Sequence, residues 1–414
     1  MQVAVVGGGV AGVCTAYFLA AAGHQTVVLE RYSNVALETS FGNAGLMAPG
    51  HAAPWAAPGM PQKLLSYLFK PESPAVLKPG MNPTLWRWMR RWLAECDIAR
   101  FRVNKMRMQR LAVYSNALMA LLREHHGLDY EQTRGLLQLF RSQAERAMAQ
   151  PLLTLLDESG IAHQLLDPDQ ARLVEPALAY HTPLNSALHI PDDEAGNCPL
   201  FTRQLRMIAQ DMGVVFHFDS SVDEIAVDGR GVGLRIGEQR FSADAVVLAA
   251  GYDSLPLLQK LGLRMPLYPV KAYSASVSIR EFDQAPLASL SDESYKVSIS
   301  RLGTRIRVAG TAELGFPAPE LREAALRTLV KVGEDWFPDA ANYNASTFWS
   351  GVWPMLPDGV PVIGPTPLSN VYVNLGHGAS GWAMAAGSGK LIADMISGQQ
   401  PDIDTEGLTL SRYG

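Results

Sequence analysis

The sequence predicts an α/β protein in which a doubly wound parallel sheet is split along the chain and interrupted by an inserted α+β domain built on an antiparallel sheet. Three observations lead there. The first 30 residues read as strand, glycine turn, apolar helix and second strand. The C-terminal end repeats that theme, with a strand at 371–375, a glycine-rich turn and a helix over 380–396. Between them, 267–279, 295–300 and 304–308 alternate in period two, as antiparallel strands with one wet face do. A chain of 414 residues exceeds one ordinary core and suits two packed domains. The boundaries fall at 1–55, 196–260 and 355–414 for the parallel-sheet domain, and at 56–195 and 261–354 for the insert.

In chain order, helical spacing predicts helices over 85–93, 104–122, 141–159, 167–174, 198–212 and 320–336, the fourth opening on an Asp cap. Further strands are expected at 27–29, 187–190, 214–218, 222–227, 232–236, 245–250 and 348–352. Hydrophobic residues make up 48% of the chain and charged residues 18%, a balance that excludes disorder. A net charge of −5 gives no electrostatic case for nucleic acid. Cys14, Cys96 and Cys198 stand far apart, in no metal-ligand spacing, so neither a metal nor a disulfide framework is expected. The first strand begins at Gln2, leaving no room for a secretion signal, and a cytoplasmic location is expected. The short apolar segment 62–70, flanked by lysines and prolines, suits either packing on its own domain or a peripheral contact at the inner face of the cytoplasmic membrane.

The strand 3–6 runs straight into Gly7-Gly-Gly9-Val10-Ala11-Gly12, which is G-x-G-x-x-G followed by a helix. Gly7 permits the tight turn, Gly9 lets backbone N–H groups approach a pyrophosphate, and Gly12 allows close helix–strand packing. Glu30, with Arg31 behind it, ends the second strand, where a carboxylate accepts hydrogen bonds from ribose hydroxyls. Strand, helix and terminal acid together identify a Rossmann-type dinucleotide site. An NAD-dependent dehydrogenase carries the same fingerprint, so the choice of dinucleotide depends on other segments.

Three of them favour FAD. The loop Thr39-Ser40 to Asn43-Ala44-Gly45-Leu46 offers hydroxyls and amides just past the second strand. The strand reaching Ala250-Gly251 ends in small residues that let a backbone lie against a flat cofactor, and Val222 is placed near it. Gly376-His377-Gly378-Ala379-Ser380-Gly381-Trp382 opens the last helix, whose dipole would stabilise the negative charge of a reduced flavin. These motifs, with Pro49-Gly-His-Ala-Ala-Pro-Trp-Ala-Ala-Pro58, Tyr268-Pro-Val-Lys-Ala-Tyr273 and Pro354-Met-Leu-Pro-Asp-Gly359, resemble the D-amino acid oxidase and glycine oxidase superfamily. Within it, the chain most resembles the small subunits of bacterial D-amino acid dehydrogenases. The resemblance implies non-covalent FAD and oxidation of the C–N bond of a D-amino acid by hydride transfer. It also implies an imine that water converts to 2-oxo acid and ammonia, and an electron acceptor such as a quinone or the respiratory chain.

The family places an arginine just before the Pro-Met-x-Pro-Asp-Gly turn to hold the substrate carboxylate; here that position is Trp353. An indole has one neutral donor and no charge. Either another cation takes over, with His51, Lys271, Arg301, Arg305 and Arg307 as candidates, or the substrate is an amine without a carboxylate and Trp353 forms a flat wall. Tyr273, rather than Tyr268, is expected to face the same pocket. A relative that binds flavin without catalysis is the remaining alternative.

Overall fold

The computed structural model describes residues 1–67, 73, 75–77, 82–229, 231–315 and 320–413. The tail of the segment 62–70, from residue 68, lies outside the described residues.

A six-stranded sheet forms in the order Val362–Pro365, Val371–Leu375, Ala245–Leu248, Gln2–Val6, Gln25–Leu29, Val215–His217. All neighbours are parallel except the first pair. Its central strands are continuous apolar runs because both faces are covered; Val3, Ala4 and Val5 are fully buried. The helix Val10–Ala21 lies between this sheet and the last helix, Gly381–Ile396. The two helices cross at backbone distance at Gly389, where a Cβ would stand 2.7 Å from Thr15 N. The run Ala-Met-Ala-Ala-Gly-Ser-Gly thus serves as a packing surface.

The second sheet has ten strands. Its path is Thr347–Met355, Tyr268–Ser278, Arg305–Leu314, Val297–Leu302, Ser289–Asp292, Thr133–Phe140, Ser186–Ala195 and Leu46–Met47, with Ala75–Leu77 and Gln164–Leu166 pairing off it. A separate three-stranded meander joins Glu224–Val227, Val232–Ile236 and Gln239–Ala243.

Four differences from the sequence expectation have local causes. The single helix over 141–159 is two, Gln143–Met148 and Gln150–Glu158. Pro151 can start the second but cannot continue the first. The helix over 104–122 runs further, as Ile98–His126, from an Asp97 cap to Gly127 at φ 61°. Thr133–Phe140 was not expected as a strand, because residues 135–140 are buried on both faces and show no alternation. Ser289–Asp292 is fully buried in the same way. The Asp167 cap forms as expected, with Gln170 completing a capping box.

Candidate active site

The glycine turn is built by close approach. Gly7 takes φ 111°, and a Cβ there would stand 2.7 Å from the Ala249 carbonyl and Ala250 Cα. A Cβ on Gly12 would stand 2.0 Å from Gly7 O, so helix and strand meet only if residue 12 has no side chain. Gly9 caps the helix with no side-chain hydrogen bond of its own, which leaves the first N–H groups to partners outside the helix. Glu30 accepts from Gly8 N at 2.5 Å and from Tyr32 N at 2.9 Å. Burial pushes its carboxyl above the usual range, and those N–H bonds oppose the rise. Arg31 reaches Glu38 at 3.0 Å and Asp253 at 2.8 Å, tying together the loops after the two strands that flank Gln2–Val6. Ala250 donates its N–H to Ser254 Oγ and Gly251 turns at φ 56°, while Val222 packs on the apolar core beneath.

The loop 39–46 closes the other side. Ser40 Oγ accepts from Val10 N at 3.1 Å, standing at the helix N-terminus. Thr39 donates to the Val352 carbonyl at 2.6 Å. Asn43 bonds Ser40 O and Gly45 N, and Ala44 O accepts from Ser300. Arg307 donates to the carbonyls of Phe41 and Asn43, both at 3.1 Å, and to Ser276 at 2.7 Å. It therefore holds the loop and does not face the cavity. Opposite, Gly376 and Gly378 take φ 80° and 56°, turning the chain into the last helix. His377 is buried between them; burial pushes its imidazole down to about 4, so it is neutral at pH 7.

These two segments border a cavity of about 370 Å³. Val10, Thr39, Ser40, Asn43, Ala44, Leu46 and the stretch 378–383 lie on it. Its floor is the second sheet, where Gln138, Ser291, Ser298 and Ala309 are neighbours in register and all line the space. One wall is aromatic: Trp55 and Trp353 meet edge to face at 5.9 Å, with Trp88 and Trp92 behind them. Lys63, Lys296, Glu293 and His51 make another part of the lining polar. Glu293 bonds Lys296, Lys63 at 3.2 Å and Gln138 Nε2 at 2.8 Å. Burial pushes its carboxyl up, but the two ammonium groups and Gln138 outweigh burial and hold it at about 2. His51 is pushed to about 4 by burial, then by Lys296 and Lys105, a sign of positive potential around it. Lys105, fully buried, fixes this corner by donating to Gly50 O at 2.8 Å and Ala52 O at 2.7 Å.

Of the residues expected at the substrate, Tyr273, Trp353 and His51 line the cavity. The Tyr273 hydroxyl is engaged by Glu313 at 2.9 Å. Lys271 does not line it: its ammonium donates to the Glu320 carbonyl and lies 5.1 Å over the Tyr273 ring. Arg301 bonds Gly303 O and Arg305 lies 3.9 Å from Glu131, both away from the space. Sequence reasoning missed Lys63, Gln138, Glu293, Lys296 and Thr311. The spacing Glu293-x-x-Lys296 sits in a turn, where it carries no periodic signal.

A family model described as FAD dependent oxidoreductase, DAO, matches residues 2–395. The chain is 44% identical over 416 residues to the D-amino acid dehydrogenase of Bradyrhizobium diazoefficiens, covering 100% of this chain and 99% of that one. It is 43% identical to the D-amino acid dehydrogenase of Granulibacter bethesdensis, covering 100% of both. Among solved structures it resembles glycine oxidase from Geobacillus kaustophilus, with a TM-score of 0.79 at 23% identity over 99% of each chain.

Proposed function

We propose that this chain, which belongs to the FAD-dependent oxidoreductase family, oxidises D-amino acids at the C–N bond. FAD fits the residues present: the turn has no room for a Cβ at Gly7 or Gly12, Glu30 ends the second strand, and two polar loops border the cavity. Bound without a covalent link, FAD supplies the acceptor for a hydride from the substrate Cα. The imine product hydrolyses in water to a 2-oxo acid and ammonia.

The observation that carries the reading is the mixed lining of the cavity, which combines a tryptophan wall with the ammonium groups of Lys63 and Lys296. A substrate with a carboxylate and an apolar side chain matches both. Lys296, with Lys63 beside it, holds the carboxylate in place of the arginine absent at residue 353. Trp353 and Trp55 take the side chain. No general base is required, since the walls position a neutral amine and exclude water.

The test is anaerobic. The visible spectrum of the purified protein is followed while D-amino acids, L-amino acids and carboxylate-free amines are added in turn. Bleaching of the flavin bands by D-amino acids is the expected result. Bleaching only by amines that lack a carboxylate would remove Lys296 from its role and leave Trp353 as a wall for an amine.

We further propose that electrons leave to a quinone or respiratory-chain acceptor at a membrane surface. Among the described residues no helix is long and apolar enough to cross a membrane; the contact we propose is peripheral. It is supported by the exposed side of the helix Pro83–Glu95, where Trp86 and Leu93 are each 49% exposed beside exposed Arg87, Arg90 and Arg91. Near an anionic bilayer each arginine contributes about 1 kcal/mol. Sedimentation with anionic vesicles is expected to carry the protein down, and the triple Arg→Glu variant is expected to stay in solution. Equal recovery of both proteins in the supernatant would sink the membrane proposal.

A further inference from the structure

The strands Ser289–Asp292 and Val297–Leu302 run antiparallel with Asp292 opposite Val297, so residues 293–296 close the hairpin between them. Two residues of that turn, Glu293 and Lys296, line the cavity. Lys296 takes φ 50°, a left-handed conformation that is uncommon outside glycine and persists where its surroundings impose it. On one side the adjacent strand packs flat against the turn. A Cβ on Gly310 would stand 2.6 Å from the Lys296 carbonyl and 2.9 Å from Val297 Cα.

On the other side stands Asp292, a carboxylate only 1% exposed. Its Oδ1 accepts from the backbone N–H groups of Ser294 at 2.9 Å and Tyr295 at 3.1 Å, which folds the first half of the turn over the side chain. Its Oδ2 accepts from Arg141 Nε at 2.8 Å and from Trp336 Nε1 at 2.7 Å. Arg141 is itself held, 2.8 Å from Asp335 and 5.0 Å over the Trp336 ring. The Ser294 hydroxyl donates to Glu145 at 2.5 Å, tying the turn to the helix Gln143–Met148. Asp292, Arg141 and Trp336 do not line the cavity, so this buried charge acts on the turn.

We propose that Asp292, anchored by Arg141 and Trp336, is a positioning residue for substrate binding: it sets the turn that brings Lys296 to the cavity. The proposal deepens the reading of Lys296 as the partner of the substrate carboxylate, and it rests on that reading. Asp292 acts through Lys296 and does not touch the substrate. An asparagine in its place tests the arrangement, because both carboxylate oxygens accept from N–H donors. Whichever way the amide turns, its NH2 group meets donors on one side and loses those bonds.

The test compares wild type, Asp292→Asn, Trp336→Phe, Lys296→Met and the double variant Asp292→Asn/Lys296→Met. Binding of 3-phenylpropanoate, a carboxylate without the amine, is read from the flavin spectrum. Anaerobic bleaching by D-phenylalanine gives a limiting rate and a half-saturating concentration. Asp292→Asn is expected to weaken phenylpropanoate binding roughly tenfold, and its loss with D-phenylalanine should fall on the half-saturating concentration rather than the rate. Trp336→Phe keeps a ring in the core and removes one donor to Oδ2, so it should shift both values the same way by less. In the Lys296→Met background, Asp292→Asn should weaken binding no further. A carboxylate that only held the fold would weaken it by the same factor in both backgrounds, and that result would overturn the proposal. Unchanged phenylpropanoate affinity in Asp292→Asn would overturn it too; if that variant does not fold, unchanged affinity in Trp336→Phe decides against it. Unchanged affinity in Lys296→Met, or wild-type flavin that no D-amino acid bleaches, would instead overturn the reading on which the proposal rests.

Discussion

Replacing Gly12 by alanine is expected to give a protein that purifies without its yellow colour. The new methyl carbon would stand 2.0 Å from Gly7 O, and its neighbours are backbone atoms that cannot rotate away. The first helix must therefore withdraw from the first strand, taking with it the N–H groups proposed to receive the pyrophosphate. Overpacking of this kind costs about 1–3 kcal/mol in stability and can cost more. Loss of the cradle geometry adds to that in cofactor affinity, for a combined drop on the order of 100-fold. FAD titration followed by fluorescence, with a melting curve beside it, checks both. Gly23→Ala is the control, because Gly23 also has positive φ, 84°, but has nothing within 4 Å of its Cβ position. It should remain yellow and lose only about 1 kcal/mol. A Gly12→Ala protein as yellow and as heat-stable as wild type would show that the turn is looser than described.

Lys296→Met should have the next largest effect, and a different signature. The ammonium of Lys296 belongs to the polar part of the cavity lining, beside Glu293. Removing a hydrogen bond to a charged group costs about 1.5–3 kcal/mol, which lowers kcat/KM for D-amino acids roughly 10- to 100-fold. Because the carboxylate is gripped in ground and transition state alike, most of the loss belongs in KM. Carboxylate-free amines, if turned over at all, should not be affected. Glu293 retains Lys63 and Gln138 as partners, so the variant should still fold, and its melting point shows whether it does. A fall in kcat at constant KM would move Lys296 out of substrate binding.

The dinucleotide cradle was legible in the sequence because it is local. Gly7, Gly9, Gly12 and Glu30 lie within one strand–helix–strand unit, and their spacing is set by the turn itself. The polar part of the cavity lining was not. Lys63, Gln138, Glu293, Lys296 and Thr311 come from separate segments that meet only through sheet register. Gln138 sits in a strand buried on both faces, so no alternation announced it. Thr311 reaches the space by a bulge, which shifts the parity of the strand from which its direction would be read. Lys105 lies in the helix predicted over 104–122, whose spacing gives no sign that it is fully buried against the 50–52 corner. The Trp353 departure was visible in one dimension, whereas the lysines proposed to compensate for it come together only in three.

The interleaved order of the parallel sheet also governs how the molecule is made. The first strand has as neighbours residues 25–29 and 245–248, and the helix behind the turn is covered by 381–396. During synthesis, at roughly 5–20 residues per second, the opening strand–helix–strand unit emerges early and then waits for most of the chain. Contacts of such long sequence separation form slowly. Until the C-terminal helix arrives, an apolar helix and an unpaired strand edge stand open to solvent, the surfaces that chaperones hold and proteases attack. A nascent chain released before Gly381 carries the glycine turn and Glu30 without the helix that packs behind them, so the cavity bordered by 39–46 and 378–383 is completed last.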